Sequence, residues 1–227
     1  MATDSPSGRP GDVGQPATGG EPRRASDRIR ATARDLFYRE GIRAVGVEEI
    51  VTRAGVTKPS LYRSFASKDA LAAAYLTDYD AEYWGRFDAA VAAHPGDPRA
   101  QIRAFFSGTG TRACVDGYRG CGLTNAAVEY PDPDHPARLV SQENKRELRR
   151  RLTEMAAAMG ADDPALLGDG LLLLLEGTYT SGQLFGVGGP GGSLAAVADR
   201  LIEASLKAPK ATDRSGTADR NPVDGSD

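Results

Sequence analysis

The chain has 227 residues, with 28 Lys and Arg against 31 Asp and Glu for a formal charge of −3, and 40% of its residues are hydrophobic. That length suits one or two compact units. No uninterrupted apolar stretch approaches the roughly 20 residues that a membrane-spanning helix needs, the leucine run from Leu171 to Leu175 stopping at Glu176, and two cysteines exclude a disulfide framework of the secreted kind.

Residues 1–21 are mostly Gly, Pro, Ser and Thr with Asp4, Arg9 and Asp12 interspersed. Without the apolar core of a secretory signal they read as a disordered tail, and the protein as cytoplasmic. Ser26 is expected to cap a first helix in which Ile29, Ala33, Leu36 and Phe37 recur at three- and four-residue spacing until Gly41 ends it. A second short segment spans Val47 to Ala54 and breaks at Gly55. A third, Lys58 to Phe65, opens on Thr57 as N-cap with Pro59 in its first turn and turns Leu61 and Phe65 inward. Ser67 caps a fourth helix running to about Ala93. Helical spacing resumes over about Pro98 to Ala113, Leu123 to Glu129, Pro136 to Met159, Pro164 to Phe185 and Ser193 to Lys207, with breakers at Asp116-Gly117, Pro131-Asp132-Pro133, Gly160 and the flexible run Gly186 to Gly192. No segment alternates with period two, so the fold class is all-α. Residues 208–227 lack pattern and read as a second disordered tail.

Charge is unevenly spread along this series. Between residues 22 and 68 eleven basic side chains face five acidic ones, and the residues after Lys68 carry a surplus of seven acids. A basic module joined to an acidic one fits a front end that neutralises phosphates and a bulk that repels nucleic acid elsewhere. The second and third helices have the proportions of a helix-turn-helix, whose second helix enters the major groove. Ala54 lets the helices cross closely, Gly55 supplies the positive φ of the turn, and Val56 plugs the angle. With Leu61 and Phe65 facing the core, Lys58, Ser60, Tyr62, Arg63 and Ser64 are left outward, all types suited to base edges and phosphates. Lys68 sits unfavourably at the positive end of the fourth helix, so an anion such as a phosphate is expected there.

The ordered run from Ile50 to Leu71, IVTRAGVTKPSLYRSFASKDAL, resembles the DNA-binding signature of the TetR family of transcriptional regulators, and with the preceding helix the resemblance covers about residues 25 to 76. It implies a helix-turn-helix DNA-binding domain at 22–70 and a helical effector-binding and dimerisation domain at 71–207. It also implies that Lys58, Pro59, Ser60 and Ser64 lie at base edges while Tyr62 and Lys68 hold phosphates. With Arg28, Thr57 and Arg63 these form the candidate DNA contacts. Gly46 stands where many members carry Thr or Ser, and Ser64 where His or Tyr is common. Glycine is an acceptable N-cap, and the shorter Ser64 leaves the operator sequence open.

The last two helices resemble those that form a four-helix bundle between subunits of the family. Leu171 to Leu175 is apolar around most of its helix, and Gly177, Ser181 and Gly182 permit close approach. A cavity between the fourth helix and those from Pro98 to Phe185 is expected to draw on Trp84, Phe87, Phe105, Asn125, Glu129, Glu176, Tyr179 and Gln183, with Tyr83 and Phe106 as further aromatic wall. Glu176 interrupts the most apolar helix and needs water, a cation or a ligand. Cys114 and Cys121 invite a redox-switch alternative; with His94 and His135 they miss the spacing of a zinc knuckle, so no metal or cofactor is expected. No Walker lysine or ordered Ser/His/Asp set is present, which leaves an enzyme with a vestigial DNA module as a weaker alternative. The sequence thus reads as a homodimeric, ligand-responsive repressor of a palindromic operator, not an enzyme.

Overall fold

The computed structural model describes residues 24–206, so both tails, Arg23 and Lys207 lie outside the described residues. It is all-α: α1 (Ala25–Glu40), α2 (Val47–Ala54), α3 (Lys58–Ser64), α4 (Lys68–Ala93), α5 (Pro98–Ala113), α6 (Gly122–Glu129), α7 (Pro136–Ala158), α8 (Pro164–Phe185) and, after a 3₁₀ turn at Pro190–Ser193, α9 (Leu194–Ser205). Among the described residues the only β pairing is one isolated bridge, Ala161 to Leu206, and no helix is long and apolar enough to cross a membrane.

Starts follow local chemistry. The Ser67 hydroxyl accepts the Ala70 N–H at 3.0 Å, Asp97 that of Ala100 at 3.0 Å, and Asp163 that of Leu166 at 3.0 Å, while His135 Nδ1 accepts that of Ala137 at 3.2 Å. Prolines 98, 136 and 164 follow directly, where a missing N–H costs nothing. Several boundaries differ from expectation. Helix α9 runs Leu194–Ser205, with Ser193 in the 3₁₀ turn before it and Leu206 as its C-cap. Helix α1 begins before Ser26, on Arg24, which makes no side-chain cap. Phe65 is the half-buried C-cap of α3 rather than part of it. The N-cap of α6 is Cys121, one residue earlier than expected, and Met159 caps α7. The glycine connector before α9 is ordered: a β-carbon on Gly110 would stand 2.4 Å from the Gly191 carbonyl oxygen, so α5 and the turn approach backbone to backbone.

The core is continuous. Ile29, Leu36, Phe37, Ile50 and Leu61 bind α1, α2 and α3, and Leu71, Tyr75 and Leu76 carry the packing along α4 into a bundle of α4, α5, α7, α8 and α9. Helix α8 divides its faces: Leu167, Leu171 and Leu175 are buried, whereas Leu166, Leu173 and Leu184 are exposed. Gly182 belongs to the inner face, packed on the Tyr118 ring and Ala113, while nothing approaches Gly177.

Candidate nucleic-acid interface and cavity

Helix α3 is held out on the turn at Gly55, which adopts φ +63° and closes α2. The Val56 N–H donates to the Val51 carbonyl at 3.0 Å, tying the turn back by one helical repeat. Leu61 is fully buried, and Thr57, Lys58, Pro59, Tyr62, Arg63 and Ser64 are exposed, with Ser60 half-buried. Thr57 occupies the N-cap position without using its hydroxyl there. Ser64 donates its hydroxyl to the Ser60 carbonyl at 3.3 Å. The Arg28 guanidinium lies over the same turn, 3.7 Å from where a side chain at Gly55 would begin.

Much of the basic surplus is spent within the fold. Arg30 pairs with Asp78 and Arg34 with Glu82, both joining α1 to α4. Arg39 pairs with Asp35 and Arg53 with Glu49, each at 2.7 Å. Lys58 pairs with Glu48, a hydrogen-bonded contact that raises the ammonium pKa. Among the described residues Arg28 and Arg63 meet no carboxylate within ion-pair distance. At the start of α4, where an anion is expected, Lys68 Nζ donates to the Arg43 carbonyl at 3.2 Å, and partial burial lowers its pKa. Glu129, expected in the ligand wall, grips the other side of the same loop, accepting the Arg43 N–H at 2.8 Å. The loop between α1 and α2 is therefore clamped by α4 and α6.

A cavity of about 390 Å³ opens between α1, α4, the α5–α6 connector and α8. Tyr38, Tyr75, Tyr79, Tyr83, Tyr118 and Tyr179 furnish its rings. Burial pushes each of these phenols above its ordinary pKa, so they remain protonated at neutral pH. Arg34, Arg86 and Arg112 supply charge, with Asp35, Glu82, Asp116 and Cys121 also on the wall.

Of the eight residues expected to bind ligand, Tyr179 alone lines this cavity. Trp84 carries the Arg151 guanidinium 4.2 Å over its ring. Phe87 and Phe105 stack edgewise on each other, 5.0 Å between centroids, behind the Tyr83 wall. Asn125 donates to the Arg119 carbonyl at 2.6 Å, and Gln183 sits against Gly120. Glu176 finds its cation in Lys145 at 2.7 Å and accepts the Thr124 hydroxyl at 2.8 Å. Burial lowers the Lys145 pKa, and its contacts with Cys121 and Glu176 more than offset that, leaving it raised. Tyr83, expected as aromatic wall, does line the cavity, and the missed Tyr75 and Tyr79 had one sequence signal: they precede it at four-residue spacing on the same face of α4.

Both cysteines are free thiols. Cys121 is buried and Cys114 faces the Gly189 carbonyl at 3.9 Å. Among the described residues no group of His, Cys, Asp and Glu could hold a metal ion.

Residues 29–75 match the family model described as bacterial regulatory proteins, tetR family. Among solved structures, the TetR-family transcriptional regulator SCO4454 from Streptomyces coelicolor superposes with a TM-score of 0.72 at 32% identity, over 80% of this chain and 94% of that one. The transcriptional repressor NemR of Escherichia coli K12 is 27% identical over 121 residues, 53% of this chain and 61% of NemR. The repressor BdcR of the same strain is 39% identical over 61 residues, 26% of this chain and 31% of BdcR. The chain thus spans less than two thirds of the length of the curated relatives it matches.

Proposed function

The chain belongs to the TetR family of bacterial regulatory proteins, and from that premise we propose that it is a transcriptional repressor that binds operator DNA as a homodimer and releases it when a small molecule enters the tyrosine-lined cavity. The observation that carries this reading is the α3 surface: an exposed polar helix seated on one buried leucine, with two uncommitted guanidiniums beside it. Lys58, Pro59, Ser60 and Ser64 face base edges in this reading. Arg28, Thr57, Tyr62 and Arg63 take phosphates, and Lys68 acts chiefly by bracing the Arg43 loop.

Pairing is supported by the outer face of α8 and α9. Leu166, Leu173 and Leu184 are 69%, 71% and 74% exposed, and Val197 joins them from α9. Such a stripe on a water-facing helix asks for cover, and a second copy with the same stripe supplies it. Two recognition helices about 34 Å apart, one duplex turn, would then read a near-palindrome. Release follows as a population shift if the effector favours a DNA-incompetent spacing. The walls include Arg34 and Tyr38 of α1, so an occupant touches the DNA-binding module directly. A redox switch is not favoured, since Cys121 is almost wholly buried and the two cysteines are not bonded to each other. The reading assigns no catalysis to the chain.

A test is fluorescence anisotropy on duplexes from the chain's own upstream region, with sedimentation in parallel. We expect a dimer that prefers one inverted repeat over random sequence. Arg63→Ala should weaken binding to both and reduce the salt slope by about one. A monomer with no sequence preference at modest salt would overturn the reading.

A further inference from the structure

The charges on the cavity wall are not locally matched. Of its three guanidiniums, Arg34 is held by Glu82, and the nearby Asp35 is held by Arg39. Arg86 has only a 4.0 Å contact with the same Glu82 that Arg34 engages. Arg112, in the last turn of α5, donates to a neutral group, the Thr109 hydroxyl at 2.9 Å. Among the described residues no carboxylate stands within ion-pair distance of Arg112, and burial and the neighbouring Arg86 charge both lower its pKa. Asp116, the remaining acid, is exposed at the rim.

Two donors on this wall are also unanswered. Arg86 Nε is buried without a hydrogen-bond partner, and so is the hydroxyl of Tyr75, a side chain only 4% exposed. Buried donors are nearly always satisfied, and an exception next to two like charges marks the place of an absent acceptor. Much of the remaining wall is tyrosine ring, flat and apolar, against which a second flat ring packs well.

Resting on the effector reading above, we propose that the cavity selects a planar aromatic carboxylate, its two oxygens shared between Arg86 and Arg112 and its ring laid among Tyr79, Tyr83 and Tyr118. The guanidinium fork matches the flat, two-oxygen geometry of a carboxylate. Tyrosine faces by themselves would also welcome a cation, but the Arg86–Arg112 pair repels one. The volume lies within the roughly 300–1,000 Å³ range of small-molecule pockets.

The test is calorimetric titration of the full chain with benzoate and 2-naphthoate, their neutral amides, the matching cationic amine benzylamine, phenyl phosphate and aliphatic cyclohexanecarboxylate. An aromatic acid should bind at least tenfold more tightly than its amide, and more tightly than the phosphate and the aliphatic acid. Arg112→Gln should collapse the acid-to-amide ratio to within threefold while duplex binding persists. Arg86→Gln serves as the second variant should the first fail to fold. Equal affinity for acid and amide, preference for the amine or the phosphate, no acid binding at millimolar concentration, or a ratio that survives both variants would each overturn the proposal. The effector reading fails separately: an acid that binds with the expected ratio yet leaves operator DNA bound sinks release and keeps the pocket chemistry. A neutral ligand that occupies the cavity and frees DNA does the reverse.

Discussion

Helix α3 holds its candidate contacts out in water, whereas the cavity beside α1 withdraws its own from it. Around α3, Tyr62 is 47% exposed and Arg63 and Lys58 stand free of the core, on a helix whose one fully buried residue is Leu61. In the cavity, Tyr75, Tyr83 and Tyr179 are almost wholly buried. A surface of the first kind acts through charge that salt screens. A site of the second kind acts through groups already stripped of water, where an unmatched donor is expensive and a matched one decisive. The two regions therefore should respond to different perturbations, and they meet in α1, whose Arg28 reaches the Gly55 turn and whose Arg34 and Tyr38 reach the cavity.

The comparison breaks first at Leu61. Truncating a fully buried leucine costs about 2–5 kcal/mol, so Leu61→Ala should lose that much stability in urea unfolding and abolish duplex binding. A loss under about 1 kcal/mol would mean that α3 is held chiefly by flanking contacts such as Val56 and Phe65.

Alkaline titration separates the regions next. The cavity phenols have folded pKa values raised by burial above the ordinary value near 10. The unfolded chain then binds fewer protons than the folded one, so their stabilisation is complete below pH 10 and falls as pH rises past it. Each such tyrosine contributes about 1.4 kcal/mol per pH unit to that slope. Tyr79→Phe should flatten it by up to one proton in urea melts as pH rises from 9 to 11, and an unchanged slope would take Tyr79 out of the buried wall.

The smallest effect lies at Glu48. The Lys58 ammonium is engaged by that carboxylate, and a duplex must displace it. Glu48→Gln should tighten duplex binding by roughly 1.5- to 5-fold, the scale of an exposed pair, and steepen the salt dependence. Unchanged affinity would place Lys58 outside the contact surface.

What could be read before folding divides along the same line. Four helix starts were legible because their signals are contiguous: Ser67, Pro98, Pro136 and Pro164 each announce a helix within a residue or two. The α3 surface lies in one short stretch of chain, so spacing alone separated its buried Leu61 from its outward side chains. The cavity wall gathers from α1, α4, the α5–α6 connector and α8, and no window along the chain contains it. Aromatic character alone was a poor guide: Trp84, Phe87 and Phe105 went to the core, and tyrosines went to the wall. Glu129 was unreadable for the same reason, its partner Arg43 lying 86 positions away.

The paired contacts between α1 and α4 have one further consequence. Arg30 meets Asp78 and Arg34 meets Glu82, each 48 positions on, so the two helices mesh like teeth at a four-residue pitch. Each half-exposed pair is weak alone. A slip of a full turn, about 5.4 Å, would bring Arg34 to Asp78, whereas any lesser slide opens both contacts and closes none. The two pairs therefore set the register of α1 on α4, and any partial slide of one helix along the other forfeits both.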